Sequence, residues 1–414
     1  MDNNVLFINS TNESLASYIL IHNAGSLRDK IPGTAHFLEH ILAGPNEEKS
    51  KKIRQQMDDY LFEWNAETNL VSTKYFIDTS PYENDIYINY LKEFYRVLKA
   101  VKYKEDWIIP CIEHERKIIA EEIVQTDTSD HKKYFAGLEM LYGKHGNTNT
   151  TGTEESISEI NIDTLSEYVN DYYTKNNVFF VIYAPEEYKD EILTEVSRIY
   201  EDLLSDNTIK LEEYSPEVFP NGTVIPYFTN AVNFRITMMN LYSMISKITN
   251  KSEIKTELLI MLIVHQINDK FFKYFREEML LCYNCNFFQT SYGVFEFTIF
   301  TKDSDTITHE TFKKFLESLE IKEEDINTML RKYRKKKQLI PVGEDLGLAE
   351  YIVSKNTFNI HARPSDWEDV IYELSTEIKN DDKTLKQQLF DVSTLFVNLL
   401  KETEALRLIL ADPL

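Results

Sequence analysis

The sequence predicts an α+β protein in two halves, and three observations carry that prediction. Short apolar strands alternate with amphipathic helices, a polar stretch interrupts the alternation near the middle, and the pattern then begins again. Leu15 to His22 reads as a strand. His36 to Leu42 reads as a short, largely buried helix, because Ala35, Phe37, Leu38, Ile41 and Leu42 give it a broad apolar surface. Pro32 and Thr34 precede it as start signals and Gly44-Pro45 ends it. A strand from Val71 to Asp78, a helix from Asp85 to Tyr103 and a further helix from Glu113 to Gln125 follow. The stretch from Leu204 to Asn221, with Pro216 and Pro220, reads as the connection between halves. This divides the chain into a first domain over 1–205, a linker over 206–222 and a second domain over 223–414. In the second half, a strand from Phe234 to Met239 leads into an apolar helix from Ile254 to Phe275. Strands from Cys282 to Gln289 and Val294 to Phe300 come next, then several helices and a last strand from Leu406 to Leu410.

Composition narrows the function classes. The 414 residues are 43% apolar, enough for two sizeable cores. No run of 18 or more apolar residues occurs, and Met1-Asp2-Asn3-Asn4 lacks the basic-then-apolar pattern of a secretory leader, so a soluble cytoplasmic protein with no membrane partner is expected. Three cysteines, Cys111, Cys282 and Cys285, give no disulfide framework and fit a reducing compartment. A net charge of -23 argues against nucleic acid as a partner, since phosphate binding needs clustered positive charge. The one basic run, Arg331 to Lys337, follows Glu323-Glu324-Asp325 and reads as a helix end that complements the helix dipole.

The richest chemistry lies in His36-Phe37-Leu38-Glu39-His40. With 3.6 residues per turn, positions 36, 39 and 40 share one helix face, so two imidazoles and a carboxylate can converge on one ion. Two neutral imidazoles suit zinc. A third protein ligand would complete the shell and leave an open position for a water whose proton Glu39 can accept. The order H-x-x-E-H is the inverzincin signature. A surface helix with solvated histidines is the competing reading, and the apolar flanks count against it.

The third ligand should be an acid or histidine on another helix, and Glu113 to Ile123 offers several. Glu115 and Glu122 are seven apart and share a face, whereas His114 points elsewhere. Here the residues match a known pattern: H-x-x-E-H followed by E-R-x-x-x-x-E-E-I resembles the pitrilysin/insulinase family of zinc peptidases, in the short two-domain form of the mitochondrial processing peptidase subunits. The resemblance implies that His36, His40 and Glu122 bind one Zn2+ per chain and that Glu115 supports the site from behind. Asn65-Ala66-Glu67-Thr68 is similar to the family's Asn-Ala-x-Thr segment, an edge strand whose backbone, with Asn65 and Ala66, takes an extended substrate. Gly152 to Ile157, the helix around Leu165 and Val169, Asn176-Asn177 and the strand Val178 to Tyr183 also follow the family order.

Arg276-Glu277-Glu278-Met279-Leu280-Leu281-Cys282-Tyr283 resembles the family's R-E-x-x-G-L-A-Y element, with Leu280 and Cys282 at the Gly and Ala positions. By that resemblance Arg276 and Tyr283 bind substrate and steady the charge that develops on its carbonyl. Cys282-Tyr283-Asn284-Cys285 reads as strand, which would point the two thiols to opposite faces. The family's fold implies two homologous domains, each a mixed β-sheet flanked by helices, enclosing a peptide-binding chamber. It usually opens with a longer β-hairpin than Val5 to His22 can supply. The implied function is a zinc-dependent endopeptidase for short peptides, leader segments or unfolded segments, working as a homodimer or as a heterodimer with a related subunit. The alternative is a non-catalytic, peptide-binding or structural subunit of such a peptidase.

Overall fold

Each half of the chain folds around a five-stranded sheet, and the two sheets have the same strand order. The structure, a computed structural model, describes residues 4–9, 15–70, 72–79, 83–126, 128, 132–133, 136–137, 140, 150–207, 219–227, 230–238, 240–249, 253–291, 293–339, 370, 373–374 and 376–411. Val71, Met239 and the linker residues 208–218 fall outside the described residues. Residues 4–128 and 150–207 belong to one compact unit, and 219–339 and 376–411 to the other. None of the described helices is long and apolar enough to cross a membrane.

The first sheet contains β1 (Val5–Asn9), β2 (Leu15–Ile21), β3 (Glu63–Thr68), β4 (Thr73–Thr79) and β5 (Val178–Ala184), in the order β1-β5-β2-β4-β3. Only β1 and β5 run parallel, with Val5 opposite Phe180. β1 and β2 therefore do not pair as a hairpin, because β5 lies between them. The reason is in β5 itself: all seven residues of VFFVIYA are buried, and such a strand needs a neighbour on both edges and cover on both faces. At the other end β3 is an edge strand that alternates exposed and half-buried residues.

Seven helices accompany this sheet among the described residues: α1 (Thr34–Ala43), α2 (Glu48–Asp59), α3 (Asn84–Lys102), α4 (Ile109–Thr126), α5 (Glu154–Glu159), α6 (Ile162–Tyr172) and α7 (Lys189–Leu203). Phe37 and Ile41 of α1, Phe94, Val97 and Leu98 of α3, and Ile19, Tyr75 and Ile77 of the sheet share one core. The Tyr87 hydroxyl donates to Ser17 Oγ at 2.6 Å and fixes α3 over β2. Two devices hold α1. Asp29 accepts from the Gly33 and Ala35 backbone N–H groups at 2.9 and 3.0 Å, which satisfies donors of the first turn. Thr34, the expected start signal, instead donates to the Ile31 carbonyl. Gly33 has φ 91°, and a Cβ there would meet the Thr151 carbonyl at 2.8 Å. At the far end a Cβ on Gly44 would collide with the Arg54 guanidinium, which donates to the Pro45 carbonyl at 3.2 Å.

The second sheet contains β6 (Thr223–Ile225), β7 (Ala231–Thr237), β8 (Asn284–Ser291), β9 (Val294–Phe300) and β10 (Leu406–Leu410), in the order β6-β10-β7-β9-β8. Adding five to each strand number of the first sheet gives the second, including the single parallel pair, here β6 with β10. Its helices are α8 (Leu241–Thr249), α9 (Glu253–Phe272) with a π-helical turn at Lys273–Glu278, α10 (His309–Ser318), α11 (Glu323–Leu339) and α12 (Lys383–Glu402). In the first unit the segment between the second and third strands carries His36 and His40. The matching segment of the second unit, between β7 and β8, carries no group of His, Cys, Asp or Glu placed to hold an ion, among the described residues.

One buried side chain has a measurable consequence for stability. His22, just after β2, is fully enclosed, and neither ring nitrogen has a hydrogen-bond partner among the described residues. Burial, and then the Arg28 charge, push its pKa from 6.5 down to about 4. Between those values the unfolded chain binds a proton that the native ring refuses, so stability falls as pH falls through this window. The full effect is about 3 kcal/mol. Urea midpoints measured from pH 7 to pH 4 should drop more steeply for wild type than for His22→Leu. Parallel curves would show that His22 does not carry the acid sensitivity.

Candidate metal centre

His36 and His40 are one turn apart on α1, and their rings lie 4.7 Å apart at 75°. Each turns Nε2 toward Glu122 Oε2 on α4, at 3.7 Å from His36 and 3.4 Å from His40. The ligand atoms of the three residues all lie within 4.8 Å of one another. A tetrahedral ion with bonds near 2.0–2.1 Å separates its ligand atoms by about 3.3 Å. The two spacings to Glu122 approach that edge and are long for direct hydrogen bonds, so the donor set fits a shared ion. Two imidazole nitrogens and one carboxylate oxygen are also the chemistry that zinc accepts.

Glu115 stands behind His40. It is buried, and its Oε2 lies 3.5 Å from His40 Nδ1, where a carboxylate fixes the tautomer that leaves Nε2 free to bind. His36 Nδ1 has no such partner among the described residues. The two rings titrate in opposite directions. Burial, helped by the neighbouring His40, pushes His36 down to about 4. Burial also works against charge on His40, yet the Glu115 and Glu122 carboxylates beside it outweigh burial and hold that ring up at about 9. The neighbouring His40 in turn lowers the Glu122 pKa.

The placement of α4 follows from Arg116. It donates to the carbonyls of Ile157 and Ile160, the latter at 2.7 Å, and its guanidinium lies 5.4 Å from the centre of the Phe37 ring. One side chain thus ties α4 to the end of α5 and to α1. His114 is exposed on α4 and takes no part in the cluster.

Glu39 is buried on α1 beside the two rings but is not among the three clustered ligands. Burial raises its pKa, against the Thr68 hydroxyl bond and the His40 charge. Asn65 and Ala66 lie on the edge strand β3, where Asn65 Oδ1 accepts from the Ala66 N–H at 2.9 Å. Arg276 and Tyr283 belong to the second unit. Arg276 lies in the π-helical turn and donates from Nη1 to the Cys282 carbonyl at 3.1 Å, while Tyr283 is 60% exposed. Leu280, at the family's Gly position, has φ 55°. The left-handed turn is therefore kept without glycine, at a cost of about 1 kcal/mol.

The cysteine pair needs a correction. β8 begins at Asn284, so Cys282 precedes the strand and the alternation of strand faces does not apply to the pair; both thiols are buried, and that of Cys285 donates to the Phe271 carbonyl at 3.8 Å. Burial raises both thiol pKa values. Sequence reading also passed over α2 and the cap on α1. Ile53 and Met57, four apart after Glu47, mark the helix, and Asp29 before Pro32-Gly33 could have marked the cap.

Two family models match the chain: "Insulinase (Peptidase family M16)" over residues 4–150 and "Peptidase M16 inactive domain" over 159–333. Among curated proteins, the uncharacterized zinc protease YmfH of Bacillus subtilis is 32% identical over 158 residues, which are 37% of this chain and 34% of that protein. The uncharacterized zinc protease YmxG of the same organism is 28% identical over 179 residues, 42% of each chain. The matches thus span well under half the length of these relatives. Among solved structures, a peptidase M16 inactive domain from Pseudomonas fluorescens superposes with a TM-score of 0.66 at 14% identity, covering 99% of this chain and 96% of that one. That likeness shows the two-domain fold.

Proposed function

Because the chain belongs to the insulinase (M16) peptidase family, we propose that it is a zinc-dependent endopeptidase acting on short peptides, leader segments or unfolded segments. The observation that carries this reading is the convergence of His36 Nε2, His40 Nε2 and Glu122 Oε2 on one point. Those three residues would hold the ion. Zinc held there supplies a Lewis acid that polarises a peptide carbonyl and makes water a better nucleophile at neutral pH.

The rest of the chemistry belongs to the chain. Glu39 accepts the proton of the attacking water and returns it to the leaving amine nitrogen, so one carboxylate serves as base and then as acid. Glu115 keeps His40 oriented through Nδ1. The free edge of β3 pairs with an extended substrate, with Asn65 and Ala66 alongside. Arg276 and Tyr283 add substrate contacts from the second unit. Arg276→Ala should lower peptide turnover and leave bound zinc unchanged, and undiminished turnover would reduce Arg276 to the loop contact it makes with the Cys282 carbonyl. The protein would work in the cytoplasm as a homodimer or beside a related subunit. A second reading, a peptide-binding subunit without turnover, draws on the match to the inactive-domain model. That match covers 159–333 and leaves out His36, Glu39, His40 and Glu122, which favours the peptidase.

The test is cleavage of internally quenched peptides by the purified chain. Activity should disappear with a zinc chelator and return with added zinc. Absence of cleavage by the zinc-loaded chain would favour the second reading.

A further inference from the structure

A left-handed backbone favours Gly, Asn or Asp, because other side chains crowd the chain there. Leu61 and Leu280 nevertheless adopt it, at φ 57° and 55°, and each sits in the turn that leads into the edge strand of its sheet. Leu61 is also 83% exposed, so burial does not offset the strain. The turn itself is regular. The Phe62 N–H donates to the Met57 carbonyl at 2.9 Å and the Leu61 N–H to the Asp58 carbonyl at 3.1 Å, the pair of bonds that closes a helix in a Schellman motif. Met57 and Phe62 are both buried in the core of the first unit. Glycine is the usual residue at the position of Leu61. Leucine there holds an apolar side chain out in solvent, beside the exposed Tyr60.

This turn opens directly onto the free edge of β3. The Asn69 N–H donates to the Ser72 carbonyl at 2.9 Å. Bonded pairs alternate along an antiparallel ladder, and β3 pairs with β4 without a shift in register, so Glu67, Asn65 and Glu63 turn their backbone groups toward β4. Trp64, Ala66 and Thr68 therefore turn theirs outward. The Ala66 N–H is held by Oδ1 of its own neighbour Asn65, a local bond that an incoming carbonyl can replace. A peptide strand added here runs out of backbone donors beyond Trp64, since the Phe62 N–H already belongs to Met57. The next residues of the chain are Leu61 and Tyr60. The edge of β8 is engaged differently: its Phe287 N–H donates to Asn268 Oδ1 of α9 at 2.6 Å.

We propose that Leu61 is a specificity-determining residue that takes an apolar side chain of a peptide bound along β3, past the last backbone-paired position at Trp64. At about 3.3 Å per residue, Leu61 lies at most roughly 17 Å from Ala66, so the peptide residue concerned is about five removed from the one beside Ala66. This rests on the reading of β3 as the substrate strand.

The experiment uses a series of quenched peptides in which serine or leucine occupies each position in turn, with wild type, Leu61→Gly and Leu61→Met. Wild type should show a KM roughly fivefold lower for leucine at one position remote from the cleaved bond, the effect of partly burying one apolar side chain. Its kcat should not change, because a contact made equally in the ground and transition states acts on KM alone. Leu61→Gly should lose the preference and Leu61→Met should keep most of it. Leu61→Gly should also melt a few degrees higher than wild type as the left-handed turn is relieved, which separates lost recognition from lost folding. A preference that survives in Leu61→Gly, or its absence in wild type, would overturn the proposal. So would a wild-type dimer that Leu61→Gly dissociates, which would make the residue a contact between copies. Ala66→Pro removes an outward N–H and is tolerated on an edge strand, so it tests the premise apart. Undiminished cleavage of every peptide by that variant would reject β3 as the substrate strand, and the proposal with it. If wild type cleaves nothing, the peptidase reading fails by itself, and fluorescence anisotropy of the same peptides decides the role of Leu61. Tighter binding of the leucine peptide by wild type and Leu61→Met alone would support it, and equal binding by all three would overturn it.

Discussion

Glu39→Gln is expected to bind zinc as wild type does and to cleave peptides roughly a hundred to ten thousandfold more slowly, the range that general acid–base catalysis contributes. The two halves of that result have separate structural causes. Metal retention follows because Glu39 is not one of the three clustered ligands, and Glu115 and Glu122 remain to orient and complete the histidine pair. The lost turnover follows because an amide matches the carboxylate in shape, yet it cannot take a proton from water. Turnover on a quenched peptide, measured beside zinc content by elemental analysis, checks both. Comparable rates in the two proteins would remove Glu39 from the chemistry. Loss of zinc together with activity would make it a ligand.

The second large effect concerns stability. Zinc at a thousandfold excess over its dissociation constant should stabilise the first unit by about 4 kcal/mol, since a ligand that binds only the native state contributes through mass action. For a unit of this size that corresponds to a rise in Tm on the order of ten degrees. The ion would join α1 to α4, helices far apart in sequence, so its loss should act on the whole unit. The second unit has no comparable ligand group among its described residues and should melt at an unchanged temperature. Calorimetry of the metal-free and zinc-loaded protein checks this, with a His36→Ala/His40→Ala double variant as the control that should show no shift. An equal shift in that variant would place the stabilising ion elsewhere.

How much of this was readable in the sequence depended on how far apart the interacting residues lie. The helix around His36 and His40 and the pairing of Glu115 with Glu122 on one face follow from helical periodicity, which is local. Most strands and the alternation of exposure along β3 follow from period two, which is local as well. The neighbour of β1 is not local: β5 lies more than 160 residues away, and nothing between Val5 and Asn9 names it. The place of Cys282 outside the strand turned on where β8 begins, and the end of an element is its least legible feature. Thr68 and Thr73 face each other through the register of β3 with β4, so their hydroxyl contact has no sequence signature. The inserted arginine contacts of Arg116 are equally silent, although its place in the family pattern drew attention to the segment.

The anchoring of α1 at both ends bears on how an ion is taken up. With Asp29 gripping its first turn and Arg54 packed against Gly44, the helix has little freedom to surrender when a cation arrives. Small zinc modules fold as they bind, so their affinity is spent on ordering the chain. Here α1 is anchored at both ends by the protein itself, so the affinity of an ion bound there would not be spent on ordering the helix.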